Sequence, residues 1–215
     1  MKRTFLVIGA LAATALAAAA VALAAQVDGT RGNDTLTGTP DADLIRGFAG
    51  DDSLSGLEGN DVLRSGKGDD SADGGPGRDL VFGGRGKDTV AGGADDDRVH
   101  GGSWDDTVSG GDGNDRAGGG RGDDTVSGDA GNDRLFGGYG RDTVSGGDGD
   151  DVLHALARDR DRDVLDCGPG NDVAYVRFAE RDLTELVGCE TVRIVKVLTA
   201  EQVSGEITET DPQAE

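Results

Sequence analysis

Large apolar side chains are scarce in this chain. Its 215 residues include one Trp, two Tyr and five Phe, so aromatics make up only 4%. Packing alone cannot offset the conformational entropy of such a sequence, which leaves a stabilising ligand or disorder as the outcomes. Cysteine is almost missing as well: Cys167 and Cys189 are the only two. Positive charge is in deficit, with 21 Lys and Arg against 42 Asp and Glu and a net charge of −21. Nucleic acid and anionic membrane surfaces repel such a chain, whereas cations are drawn to it. No H-E-x-x-H, G-x-S-x-G or G-x-x-x-x-G-K-[ST] string occurs. Nor is any non-repetitive stretch large enough to house an active site, so the chain is not expected to be an enzyme.

Long hydrophobic runs are confined to the start. Lys2 and Arg3 precede an apolar, alanine-rich run from Phe5 to Ala25, and Ala22-Leu23-Ala24 offers an A-x-A cleavage site. Residues 1–25 therefore read as a secretory signal peptide. The alternative is an uncleaved anchor, since the run is long enough to span a bilayer. No later segment could cross a membrane. The mature chain is expected to be secreted or held at the cell surface, without inserting into a membrane, and two cysteines in such a chain are expected to form a disulfide.

Glycine and aspartate, by contrast, are abundant and strictly spaced. From Gly29 to His154 the chain is fourteen nonapeptides without a slip in register. The sixth place is Asp in every one: Asp34, Asp43, Asp52, Asp61, Asp70, Asp79, Asp88, Asp97, Asp106, Asp115, Asp124, Asp133, Asp142 and Asp151. The eighth is always apolar, from Leu36 and Ile45 to Val144 and Leu153. The first place is Gly in all but one nonad, where Ser65 stands, and the fourth is Gly in all but three. A merely solubilising surface would not hold its acids at fixed intervals of nine. The first six places read as turn, where Gly permits positive φ and close backbone approach. The last three alternate like a short strand with the eighth side chain inward. Asp or Asn is also common at the fifth place, which tolerance of left-handed geometry explains more simply than a ligating role.

A nine-residue period of G-G-x-G-x-D-x-U-x character is a calcium-binding β-helix signature. Residues 83–91 and 146–154 fit every defined place. On these residues the chain resembles the RTX (haemolysin-type) calcium-binding nonapeptide repeats over about 126 of its 215 residues. The resemblance implies an all-β protein, a right-handed parallel β-roll (a β-solenoid) with two nonads to a turn. Nonads n and n+2 would then stack at roughly 4.8 Å, placing Asp34 beneath Asp52 and Asp43 beneath Asp61. Stacked like charges repel unless a cation lies between them. In the family, sixth-place aspartates of two stacked loops supply side-chain oxygens to Ca²⁺ and loop carbonyls supply the rest. Ca²⁺ accepts six or more oxygens at flexible geometry, whereas Mg²⁺ demands a small octahedron.

The metal ligands so implied are the fourteen sixth-place aspartates together with Asp163 and Asp172 in later, degraded nonads. Seven loops on each edge leave at most about twelve sandwiched sites. Thr30, Thr39, Phe48, Leu57 and Asp129 replace Gly at the second place, and Asp41, Asp95 and Trp104 replace it at the fourth. Four of the second-place substitutions fall in the first four nonads, so weaker or missing ions are expected near the N-terminal end.

After His154 the register breaks. Ala155-Leu156-Ala157 reads as a three-residue insertion, followed by degraded nonads at 158–166 and 167–175. The stretch 155–199 is expected to hold these and a small C-terminal cap, from Tyr175 to Thr199, pinned by a Cys167–Cys189 disulfide. Such a link contributes about 3 kcal/mol by loop entropy. Residues 200–215 read as a disordered acidic tail.

The two sheets of such a roll would differ outside. Odd nonads present Thr35, Ser53, Ser71, Thr89, Thr107, Thr125 and Thr143 beside a second hydroxyl-rich column. Strand propensity and solubility explain this ladder; the alternative is a face that binds ice or a carbohydrate. Even nonads present Leu44, Val62 and Leu80, then Arg98, Arg116 and Arg134. The apolar half is either covered by the C-terminal segment or meets a partner. His100 and His154 lie three turns apart on that sheet, too far to share a metal, and read as lone surface histidines. The functional expectation is a secreted, non-enzymatic calcium-binding protein whose β-roll folds on binding Ca²⁺ outside the cell. The alternative is a calcium-stabilised adhesin or a glycan- or ice-binding protein; the sequence names no protein or glycan partner.

Overall fold

The computed structural model describes residues 24–155, 161–177 and 184–195. The signal segment up to residue 23 and the acidic tail lie outside these residues, as do positions 156–160 of the insertion and degraded nonad and positions 178–183 and 196–199 of the expected cap. Among the described residues there are nineteen strands and no helix, hence no helix that could cross a membrane. They form a parallel β-solenoid of about nine turns. Successive strands alternate between a ten-stranded and a nine-stranded sheet. Within each sheet every residue faces the one two nonads on: Val108 pairs with Val126, and Ala117 with Leu135.

The core between the sheets is one side chain wide. Eighth-place residues from Ile45 to Leu153 are no more than 3% exposed, and Leu36 is partly buried against them. One buried Val or Leu contributes about 1.5–3 kcal/mol, which is small against the ordering of nine backbone residues. The fold therefore depends on what happens at its edges.

The strands are longer than the expected three residues. In mid-roll each covers six, as in Thr89–Ala94 and Arg98–Ser103, and takes in the first three places of the next nonad. Only places four to six turn. The added pairs run through the second place, where Gly66 pairs with Gly84 and Gly84 with Gly102, and Asp129 with Gly147. The first four strands, Gln26–Asp28, Thr35–Thr37, Leu44–Arg46 and Ser53–Ser55, do keep to three residues. These are the strands followed by Thr30, Thr39, Phe48 and Leu57 at the second place.

Past His154 the roll resumes. Thr143 pairs with Val164 and Val152 with Val173, a step of 21 in place of 18, which accommodates the three-residue insertion. The C-terminal segment closes the roll by continuing it: Glu185–Val187 joins the nine-stranded sheet and Thr191–Val195 the ten-stranded one. The disulfide joins Cys167 to Cys189 with Cα atoms 5.1 Å apart. This described segment lies at the far end from Leu44 and Val62 and does not cover them.

Candidate metal centre

The sixth-place aspartates form two files, one along each edge, where the turn leads into the strand. From Asp43 to Asp172 none is more than 6% exposed; Asp34, at the open end, is half-buried. One oxygen of each interior carboxylate is accounted for. Oδ1 of Asp52 accepts the amide N–H of Asp34 at 2.8 Å, and Oδ1 of Asp70 that of Asp52 at 2.7 Å. The pattern repeats turn by turn to Asp163, which takes the amide of Asp142 at 3.0 Å, and Asp172, which takes that of Asp151 at 2.7 Å.

The second oxygen has no such donor. Oδ2 of every sixth-place aspartate from Asp52 to Asp133, and of Asp151 and Asp172, is buried without a hydrogen-bond partner. It faces the first-place glycine of its own nonad. A Cβ on Gly83 would stand 2.6 Å from Asp88 Oδ2 and 2.7 Å from the carbonyl oxygen of Gly101. Glycine is needed there so that two oxygens can converge on one spot. Ser65, the exception at this place, is fully buried with its hydroxyl unpartnered.

The electrostatics follow from this crowding. Burial lifts Asp88 to about 7, against the amide of Asp70 and helped by the charges of Asp106 and Asp70. Burial likewise raises Asp97, Asp124 and Asp133 to about 7 and Asp70, Asp79 and Asp106 to about 6. It also raises Asp61, Asp115, Asp151 and Asp172 above the usual carboxylate range. A buried anion with a vacant lone pair and a like-charged neighbour is costly unless a cation offsets it.

The first two nonads are built otherwise. Asp34 Oδ2 accepts the amide of Thr30 at 2.6 Å and its hydroxyl at 3.0 Å. Asp43 Oδ2 accepts the amide of Thr39 and its hydroxyl, the latter at 3.0 Å. Phe48, Leu57 and Asp129 keep the left-handed backbone of the second-place glycines they replace, at φ 74°, 79° and 74°. Thr30 and Thr39 are absent from that region, as β-branching disfavours it, and their loops deliver donors to the carboxylate.

Three features escaped sequence reasoning. The fifth-place residues owe nothing to left-handed geometry, since none of them has positive φ. Instead their side chains cap the next turn: Asp69 Oδ1 accepts the amide of Lys87 at 2.8 Å, and Asn132 Oδ1 that of Asp150 at 2.7 Å. Glu190 occupies the sixth place of the final turn, where it accepts the amide of Asp172 at 2.9 Å. Its spacing of 18 from Asp172, with Val192 in the eighth place, was the signal available. At the other end the amide of Ala25 donates to Asp43 Oδ1 at 2.6 Å, so the pattern begins before Gly29.

Among the described residues no three His, Cys, Asp or Glu side chains gather into a cluster. Any ion must therefore take much of its shell from backbone carbonyls. The donors along the edges are all oxygens, the set that suits a hard cation, and the orphaned Oδ2 atoms fit that requirement.

Buried, half-satisfied carboxylates repeated along the turns of a parallel solenoid define a class of acidic, cation-binding repeat proteins. The profile of the RTX calcium-binding nonapeptide repeat matches this chain four times, over residues 28–63, 55–90, 91–126 and 118–153. These matches span 126 of the 215 residues, and the chain belongs to that family. It is a calcium-binding repeat protein, with Ca²⁺ as its ion. Among curated proteins, none matches it.

Proposed function

We propose that this protein is secreted, has no catalytic activity, and folds its roll when Ca²⁺ reaches it outside the cell. The observation that carries this reading is the file of buried Oδ2 atoms without donors. The ions are held by the sixth-place aspartates from Asp52 to Asp151 and by Asp172, with loop carbonyls completing the shell. Asp34 and Asp43 hold Ca²⁺ weakly or not at all because Thr30 and Thr39 already occupy their second oxygen. The regular array thus binds fewer than the twelve or so ions its loops could sandwich.

The bound ion neutralises two stacked carboxylates and ties one turn to the next, so binding free energy becomes folding free energy. Among the described residues the extensive strand contacts run between neighbouring turns, and folding propagates along the roll. Extracellular calcium modules bind at roughly 10⁻⁴–10⁻³ M, which keeps the chain unfolded in a low-calcium cytoplasm and loads it outside. The signal-like residues 1–25 support export. Circular dichroism of the mature chain tests the coupling: coil in chelator and β-structure in millimolar Ca²⁺ are expected, and the same β spectrum in both would refute it.

A further inference from the structure

The two edges of the roll carry opposite charge. From the second to the fifth place of each nonad, the turns of the odd nonads hold six basic and four acidic residues, and those of the even nonads one basic and eight acidic. The third place shows the contrast most plainly. Along the odd edge, neighbouring strands end in Lys67, Arg85, Ser103, Arg121 and Tyr139. Along the even edge they end in Pro76, Ala94, Asp112, Ala130 and Asp148. Lys67, Arg85, Arg121, Asp112 and Asp148 are all exposed, and none of them forms an ion pair among the described residues. Lys87 and Arg78, by contrast, are taken up by Asp105 and Asp96 of their own edges.

A large aromatic side chain stands in the middle of the basic edge. Trp104, next to Ser103, is 61% exposed and holds a φ of 86° at a fourth place that glycine fills in all but three nonads. A bulky side chain is strained in that region of φ, and strain of this kind collects at sites of function. Beside the indole lies a cleft of about 350 Å³ lined by Lys67, Arg85 and Gly86, with room for a side chain from outside.

The basic edge finds its complement on the same molecule. Arg85 and Arg121 lie two strands apart, and so do Asp112 and Asp148, roughly 10 Å in both cases. Ser103 stands between the first pair and Ala130 between the second. We infer that copies of this chain associate side by side, the basic edge of one roll against the acidic edge of the next, with Arg85 and Arg121 opposite Asp112 and Asp148. Trp104 then stands over Ala130 and Gly131, where the partner offers no side chain larger than a methyl group. Trp and Arg are the residues on which interfaces most often depend. A nine-turn edge is roughly 40 Å long and about 15–20 Å wide with its side chains, or about 700 Å² on each copy, the size of a specific interface. The net charge of −21 opposes association at low salt, but screening beyond about 8 Å at physiological salt leaves the facing edges in control. The two surfaces differ, so the contact is heterologous and does not close, and a row of rolls results.

The inference goes beyond calcium binding and needs only the folded roll. It is tested on the full mature chain in millimolar Ca²⁺ and about 0.15 M NaCl, with roll formation first verified by circular dichroism, so that a folding failure is seen separately. Sedimentation equilibrium should show a mass that keeps rising with protein concentration and falls in about 1 M NaCl. The Arg85→Glu, Arg121→Glu double variant has two acidic edges, and the Asp112→Arg, Asp148→Arg double variant has a basic patch on both. Each alone should associate at least about tenfold more weakly. An equimolar mixture should recover the association of the parent, since each variant offers the complement that the other lacks. Trp104→Gly supplies the residue usual at its place, and should keep the roll while weakening association at least about tenfold. A parent that stays monomeric, or stops at a dimer, overturns the inference, as does a mixture that associates no better than its parts. If the monomeric parent instead binds phosphatidylserine vesicles through Arg85 and Arg121, the edge belongs to a membrane surface and the inference falls.

Discussion

Asp43 and Asp88 hold the same place in the repeat and are about equally hidden, at 4% and 1% exposure, yet they are held in opposite ways. Burial pushes Asp43 up, but the amides of Thr39 and Ala25 and the Thr39 hydroxyl outweigh it and leave the carboxyl below its usual value. Asp88 has one donor, the amide of Asp70, and rises to about 7. The difference begins at the second place of the nonad. Gly84 there takes a φ of 120°, which Thr39 does not, and the threonine loop turns its own donors onto the carboxylate. A protein donor and a cation compete for the same oxygen. The first two nonads thus give the second carboxylate oxygen a protein donor, and the nonads of Asp52 to Asp133 do not.

The largest test of this contrast is acidification without metal. The interior aspartates have folded values raised to about 6 or 7 from a reference of 3.8. A raised value means that protonation favours the folded state. The metal-free roll is therefore unhindered below about pH 4 and loses stability as pH climbs to about 7. Asp43 runs the other way: its contribution is present above 3.8 and is lost as pH falls through its lowered value. Chelated protein should gain β-structure by circular dichroism between pH 7 and pH 4, and a signal flat across that window would remove the distinction. Next in size is Asp124→Ala. It strands the buried amide of Asp106, which donates to Asp124 at 2.8 Å, at about 1–3 kcal/mol before any loss of calcium. Asp34→Ala, at the half-buried end, should cost about 1 kcal/mol. Calcium titrations followed by circular dichroism should separate the two variants, and equal midpoints would contradict the comparison.

Replacing both Cys167 and Cys189 by Ser should cost about 3 kcal/mol, with the loss confined to the last turn. Hydrogen exchange would locate it, and uniform loss of protection would mean that the roll unfolds as one unit. The smallest effect is the most specific. Thr39→Gly removes the hydroxyl donor from Asp43 at about 1 kcal/mol in the metal-free protein, and should raise the calcium stoichiometry by calorimetry. An unchanged stoichiometry would show that Thr39 does not exclude an ion.

Much of this was legible in the nonad. Two nonads per turn, the inward eighth place, the sixth-place files, the insertion after His154 and the Cys167–Cys189 link all follow from spacing or from family resemblance. Asp163 and Asp172 fall into the files as their spacing implied. What escaped were properties of neighbours 18 residues apart. His154 read as a lone surface histidine, yet it stacks between Phe136 and Tyr175, because ninth-place residues meet only when every second nonad is laid on the last. The exposed Trp104, at φ 86° in a fourth-place glycine position, has no structural explanation here.

By itself the sequence determined the period and the side of each residue, because a repeat of nine leaves a chain so poor in core few other ways to order itself, and its resemblance to the RTX repeats named the ion. The tertiary structure alone decided which carboxylate oxygens go without a donor, and that His154 stacks between Phe136 and Tyr175. Both depend on contacts between turns, and no single nonad contains them.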